Sequence, residues 1–160
     1  MPATRAKSEW VKGYLVFYGA DGGVFAHFGS GAAGVLLTKR IRATIAQVNA
    51  GYELLPALAG FKYRLVDAAL IAVGGAVAAV TTVDILATQT SSVKLVAGAQ
   101  ASMTQSTVLH AGESGAAVLA DGASFVANDA NTSITAGITG SDITVATHVD
   151  FILSFAIEAA

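Results

Sequence analysis

The chain has 160 residues, enough for one domain with a sizeable core and a short arm. Hydrophobic residues make up 54% of it and charged residues only 12%, against about 25% charged in an ordinary soluble domain. A net charge of −2 and a pI near 5.8 exclude the global basic field that general nucleic-acid binding needs. The absence of cysteine excludes disulfides, thiolate catalysis and Cys-ligated zinc.

A mean hydropathy of +0.62 with so few charges would leave apolar surface in water on a lone monomer. Composition therefore calls for partner chains, through homo-oligomerisation or assembly into something larger. Met1 to Ser8 is polar and basic (Arg5, Lys7) and reads as a tail or an arm ordered by a partner. It lacks the apolar stretch of a signal peptide, so the expectation is a product made and used without export.

Trp10 to Tyr18 is rich in aromatic and β-branched residues and reads as one strand. Asp21-Gly22-Gly23 is a turn signal, and Val24 to Phe28 returns as the second strand of a hairpin. An isolated hairpin is marginally stable in water. Trp10, Tyr14, Phe17, Tyr18, Phe25 and Phe28 therefore need a surface to cover, and are the candidate partner-binding residues of the arm. Gly29 to Gly34, GSGAAG, matches G-x-G-x-x-G, and Glu53 lies about twenty residues on, as a dinucleotide site requires. No amphipathic helix follows Val48 to build the strand–helix alternation of that fold. The stretch is read as a linker, giving an arm and linker over 1–34 and a domain over 35–160.

Val35 to Val48 fits a strand, with Val35, Leu37, Ile41, Ala43 and Ile45 on one face and Arg40, Arg42 and Thr44 on the other. It also fits a helix, and the strand is preferred because Asn49-Ala50-Gly51 and Pro56 follow as turn punctuation. Lys39, Arg40 and Arg42 form a basic cluster, either a solvated face or a contact for an acidic partner surface. From Gly51 to Gln89 the chain is strongly apolar, with no charge between Asp67 and Asp84. The run is shorter than the roughly 18 residues of a bilayer span and is broken by Gly74-Gly75. Two strands, Tyr63 to Val73 and Val77 to Thr88, joined as a hairpin through the paired glycines, account for it. Asp67 and Asp84 are expected to face solvent or cap turns.

Val93 to Ala97 is a short strand, and Ala99 to Gly122 holds loops with one strand at Ser106 to Leu109. Ala120 to Asp142 carries turn signals every few residues, with Ile134, Ala136 and Ile138 alternating. The last strand has the cleanest period of two. Val149, Phe151, Leu153, Phe155 and Ile157 share one face, and His148, Asp150, Ser154 and Glu158 share the other with Ile152 and Ala156. Short strands, polar turns and little helix give an all-β antiparallel sandwich.

His27, His110 and His148 are too scattered to mark a metal site. His148 and Asp150 share a face and fit a metal pair or an ordinary surface pair, of which the surface pair is preferred. Gly112-Glu113-Ser114-Gly115-Ala116 lacks the closing glycine of a nucleophile elbow and reads as a turn. Asn128, Asp129 and Asn131 have the oxygens of a calcium loop without its bidentate glutamate. No catalytic, cofactor-binding or metal-binding residue is assigned, and the expectation is a protein that is not an enzyme.

Several motifs occur in order: Gly51-x-x-Leu54-Leu55-Pro56-Ala57-x-Ala59-Gly60-x-x-Tyr63-Arg64-x-x-Asp67, the Gly74-Gly75 break and Val83-Asp84-Ile85. The Ala120-Asp121-Gly122-Ala123 and Ala127-Asn128 turns and Ala146-Thr147-His148-Val149-Asp150 complete the series. Over residues 35–160 this resembles the jelly-roll-like β-sandwich domains of tailed-bacteriophage structural proteins, in particular capsid decoration (cement) proteins and some tail or fibre modules. The resemblance implies homotrimers or dimers on the capsid exterior, assembled in the host cytoplasm and bracing neighbouring major capsid subunits, without cofactor, membrane or nucleic acid. The arm, Met1 to Phe28, would engage a neighbour by adding strands to an exposed sheet edge. A trimeric tail, fibre or receptor-binding module is the alternative.

Overall fold

A computed structural model of the chain describes the backbone of residues 7–11, 14–18 and 24–29 and all of 36–119 and 122–160. The chain divides into two compact units, Met1–Val35 and Leu36–Ala160. In the first, β1 (Lys7–Val11), β2 (Tyr14–Tyr18) and β3 (Val24–Gly29) form an antiparallel sheet in chain order. The stretch from Trp10 to Tyr18 is thus two strands rather than one, with Trp10 paired to Leu15 and Val11 to Tyr14. A run of aromatic and β-branched residues favours strand along its whole length and does not by itself mark where the chain reverses. The expected turn at Asp21-Gly22-Gly23 and most of the Gly29 to Gly34 match lie outside the described residues.

The second unit is all-β apart from short helical turns. Its long elements are β4 (Leu37–Thr44), β6 (Phe61–Val73), β7 (Val77–Thr88), β8 (Ser92–Ala99), β11 (Ile134–Val145) and β12 (His148–Ala159). Three short strands, β5 (Glu53–Leu55), β9 (Val108–His110) and β10 (Ala116–Val118), lie at sheet edges. One antiparallel sheet runs β4-β12-β6-β9 and the other β10-β8-β7-β11-β5, and the inner faces of both form a single core, a β-sandwich. Phe151, Leu153, Leu70 and Val149 from the first sheet meet Val83, Ile85, Val96 and Ile134 from the second, all fully buried.

The Val35 to Val48 ambiguity resolves into both readings in succession. β4 ends at Thr44, which caps a five-residue helix, α1 (Ile45–Asn49). Gln47 N–H donates to Thr44 Oγ1 at 3.3 Å while Thr44 N–H donates to Gln47 Oε1 at 2.9 Å. This reciprocal capping box stops the strand after its last alternating residue.

The apolar stretch through Gly74-Gly75 gives two strands close to the expected bounds, but they do not pair with each other. β6 belongs to the four-stranded sheet and β7 to the five-stranded one, so the glycines carry the chain across the sandwich in an arch. The β11–β12 connection makes the same crossing. The two arches lie side by side, because β6 pairs with β12 and β7 with β11. Thr147 N–H donates to the Val73 carbonyl at 2.9 Å, which brings the second arch directly onto the first. A Cβ on Gly74 (φ 74°) would sit 2.2 Å from Thr147 Oγ1, and one on Gly75 (φ 148°) 3.0 Å from the Val145 carbonyl oxygen. The glycine pair supplies both the positive φ and the room for that contact. A hairpin and an arch ask the same of the local sequence, and the long-range pairing decides between them.

Candidate partner-binding face

On the outer face of the four-stranded sheet, the β4–β12–β6–β9 register sets side chains in rows. Arg42, Asp150, Ile71 and Val108 lie across one row, and Arg40, Ile152, Ala69 and His110 across the next. Thr38, Ser154 and Asp67 follow on one side, and Thr44, His148 and Val73 on the other. The face therefore has a cationic border on β4 and an apolar patch of Ile152, Ile71 and Val108 that runs from β12 to the opposite edge at β9, where Val108 is 45% exposed.

Asp150 is the electrostatic centre of this face. Arg42 Nε and Nη2 donate to its two oxygens at 2.7 and 2.9 Å, and Arg40 Nη2 donates to Oδ2. The carboxylate is only 1% exposed, while the Arg40 and Arg42 side chains are 60% and 50% exposed. Asp150 is thus sealed under its own partners on the outside of the sheet rather than sunk in the core, which corrects the reading of it as half of an ordinary surface pair with His148. Hydrogen bonding from Arg42, opposed by desolvation and reinforced by Arg40, holds its pKa at about 2. The Arg42 guanidinium is correspondingly raised by its bond to Asp150.

The basic cluster divides between the two faces of β4. Arg40 and Arg42 meet on Asp150 with one positive charge in excess, and both remain open to a partner. Lys39 points the other way, across the open side of the sandwich, and donates to the Leu54 carbonyl on β5 at 3.2 Å. His148 does not join Asp150 in a metal pair, because both carboxylate oxygens are taken. Its Nδ1 lies 3.0 Å from Thr147 Oγ1. Among the described residues no cluster of His, Asp or Glu has metal-ligand geometry. Further along, Arg64 Nε and Glu158 Oε1 lie 2.6 Å apart, and this hydrogen bond lowers the Glu158 pKa. Arg64 Nη1 donates to the Phe125 carbonyl at 2.7 Å.

The other candidates serve the fold. Asn128 Oδ1 accepts from Tyr63 N–H at 2.6 Å, Asn131 Oδ1 from Gly60 N–H at 2.6 Å and Asp129 Oδ2 from Thr90 N–H at 2.5 Å. The oxygens of the calcium-like loop are thereby committed to backbone donors, fastening 128–132 along the start of β6 and the β7–β8 turn. Glu113 closes a turn, accepting from His110 N–H at 3.0 Å. The first described element after Gly34 is a strand, so among the described residues no helix N-terminus follows the glycine-rich match to take a pyrophosphate. The six arm aromatics lie on β1, β2 and β3, and their side chains are outside the described residues.

Asp84, expected at the surface or in a turn, is 1% exposed on the outer face of the five-stranded sheet. Its Oδ2 lies 3.0 Å from Lys94 Nζ and accepts from Thr139 Oγ1 at 2.8 Å. Its Oδ1 and the neighbouring Thr82 Oγ1 are buried without a partner among the described residues. The sequence signal for an apolar patch on this face was the pair Ile152 and Ala156, apolar residues on the polar side of the last strand. Comparison with known proteins returns no match to a protein-family model, a curated sequence or a solved structure.

Proposed function

We propose that the chain is a structural protein of a tailed-bacteriophage virion, a β-sandwich that binds the outer surface of the capsid and braces neighbouring major capsid subunits. The observation that carries this reading is the division into two compact units, Met1–Val35 and Leu36–Ala160. Half of the chain's aromatic residues fall in the first of them. A sheet of three short strands is too small to bury six aromatics by itself, so the unit suits an attachment arm. The sandwich supplies a rigid body with broad faces. Permanent interfaces are large and apolar, which agrees with a chain that is 54% hydrophobic and 12% charged. The resemblance of residues 35–160 to decoration proteins and their jelly-roll wind names the surface as the capsid lattice. The major capsid protein is then the partner, with the chain itself as homotrimer or dimer.

The test is co-sedimentation with mature capsids that lack the protein, using the full chain and a chain without residues 1–34. The full chain is expected to bind at a saturable stoichiometry. The shortened chain is expected to keep its β circular-dichroism spectrum and lose binding. Unchanged occupancy by the shortened chain would overturn the arm's role. A full chain that ignores capsids but forms a stable trimer alone would transfer the reading to a tail or fibre module.

A further inference from the structure

We infer that Thr82 and Asp84, on the outer face of the five-stranded sheet, hold one internal water molecule that completes the Lys94–Asp84–Thr139 cluster. Such a water is independent of the capsid assignment. Asp84 Oδ1 and Thr82 Oγ1 are both buried without a partner among the described residues. A buried polar atom left unpaired carries the full desolvation penalty of its group, and folded chains hold few of them. Here two stand side by side. Thr82 and Asp84 are two residues apart on β7, and the ladders to β8 and β11 run without a bulge from one to the other. Both therefore lie on one face, roughly 6.5 Å apart along the strand. A water making two hydrogen bonds of about 2.8 Å links oxygens up to about 5.5 Å apart, a span suited to neighbouring side chains on one face.

The neighbouring strands leave room for a small guest and roof it. Asp84 pairs across to Ala97 and Gly137, and Thr82 to Ala99 and Thr139. Ala97, Ala99 and Gly137 put a methyl group or nothing on this face. Leu86 leans over the glycine, where a Cβ would come within 2.6 Å of its Cδ1. With Lys94 and Thr139 drawn in over Oδ2 as well, the Asp84 side chain is left 1% exposed.

Charge and ligand count decide which guest fits. Lys94 Nζ lies 3.0 Å from Asp84 Oδ2, so the carboxylate is already neutralised and a metal cation would bring a buried charge with nothing to balance it. Thr82 and Asp84 offer two free side-chain oxygens, against the six or more that calcium and magnesium take. Thr139 Oγ1 accepts from Lys94 and commits its proton to Asp84 Oδ2 at 2.8 Å, which leaves it nothing for Oδ1. A water donates to Asp84 Oδ1 and accepts from the Thr82 hydroxyl, the service that buried waters perform for groups otherwise unsatisfied.

Thr82→Val keeps the shape of the side chain, removes the hydroxyl and separates a wet site from a dry one by sign. Deleting an orphaned hydroxyl from a dry site stabilises a chain, whereas deleting one of the two groups that hold a water destabilises it. Urea unfolding of the full chain, with far-UV circular dichroism as the fold control, should give Thr82→Val a folding equilibrium constant about fivefold below the wild type. Oxygen-17 relaxation dispersion of the solvent counts waters held longer than the protein takes to tumble. The wild type and Thr82→Ser, which keeps the hydroxyl, should each hold about one more such water than Thr82→Val. A Thr82→Val chain as stable as the wild type or more so, equal water counts in those two, or a Thr82→Ser count as low as that of Thr82→Val would each overturn the inference.

Discussion

The Asp150 cluster makes the sharpest prediction about stability. Its carboxylate has a pKa of about 2 in the folded chain against 3.8 for the free side chain. A group whose pKa is depressed by folding contributes stability that is complete above the unfolded value and disappears as the pH falls through the folded one. The shift corresponds to about 2 kcal/mol at roughly 1.36 kcal/mol per pH unit. Because the two arginines are half-exposed and screened by solvent, about 1–2 kcal/mol is the expected share. Replacing Asp150 with Asn keeps the shape, removes the charge and leaves two guanidiniums facing each other. Near neutral pH the variant should therefore melt about 2–8 °C below the wild type, given roughly 2–4 °C per kcal/mol for a chain of this size. The gap should be constant from neutrality down to about pH 5, shrink between about pH 4 and pH 2, and close below that. Thermal unfolding followed by far-UV circular dichroism across that range measures it. A gap that persists unchanged at pH 2 would refute the electrostatic account and assign the loss to packing. Arg42→Met should lower stability more than Arg40→Met, since Arg42 holds both carboxylate oxygens.

Two further substitutions test the fold elsewhere in the sandwich. Gly74→Ala forces a positive φ on a residue with a side chain and drives a Cβ into Thr147. It should cost about 2 kcal/mol or more in urea unfolding, and a neutral result would mean that the two arches are not stacked as described. Lys94→Met removes the ammonium beside the buried Asp84 carboxylate and leaves a charge held by Thr139 alone. The expected loss is about 2–3 kcal/mol, below the 3–5 kcal/mol of a fully buried pair because Lys94 itself is partly exposed. Asp84→Asn combined with Lys94→Met should restore most of that loss in the same measurement, and a double variant as unstable as the single one would contradict it.

What the sequence disclosed was governed by local period, and what it concealed was governed by long-range pairing. The alternation of β12 identified Val149, Phe151, Leu153 and Phe155 as core, and all four are buried. Ile157, on the same face, is 38% exposed. β4 stops pairing at Leu37 opposite Phe155, so the end of β12 has a neighbour strand on one side only. Asp150 and Asp84 are polar residues at polar-side positions, and nothing nearby in sequence shows that they are buried. Asp150 is sealed by residues more than a hundred positions away, and Asp84 by Lys94 and Thr139 across two strand pairings. The strands flanking Gly74-Gly75 were legible from their composition, while their assignment to different sheets depends on β11 and β12, sixty or more residues later.

The free edges of the sandwich are protected against strand addition. Three of the four edge strands in the sandwich are only three residues long, and β4 is the exception. Ile45 N–H donates to the Thr147 carbonyl, so by antiparallel alternation Leu37, Lys39, Ile41 and Ala43 make the backbone bonds to β12. Thr38, Arg40 and Arg42 then turn their backbone groups outward. Thr44, next in that series, has its N–H capped by Gln47. The open stretch is lined by Arg40 and Arg42, and on its inner side Lys39 reaches over to β5. Charges on an edge strand, above all an inward-pointing lysine, are the devices that stop one sheet from extending into another. A strand laid along β4 would have to displace the bridge from Lys39 to the Leu54 carbonyl. An arm that augments an edge is therefore expected to find that edge on a different protein.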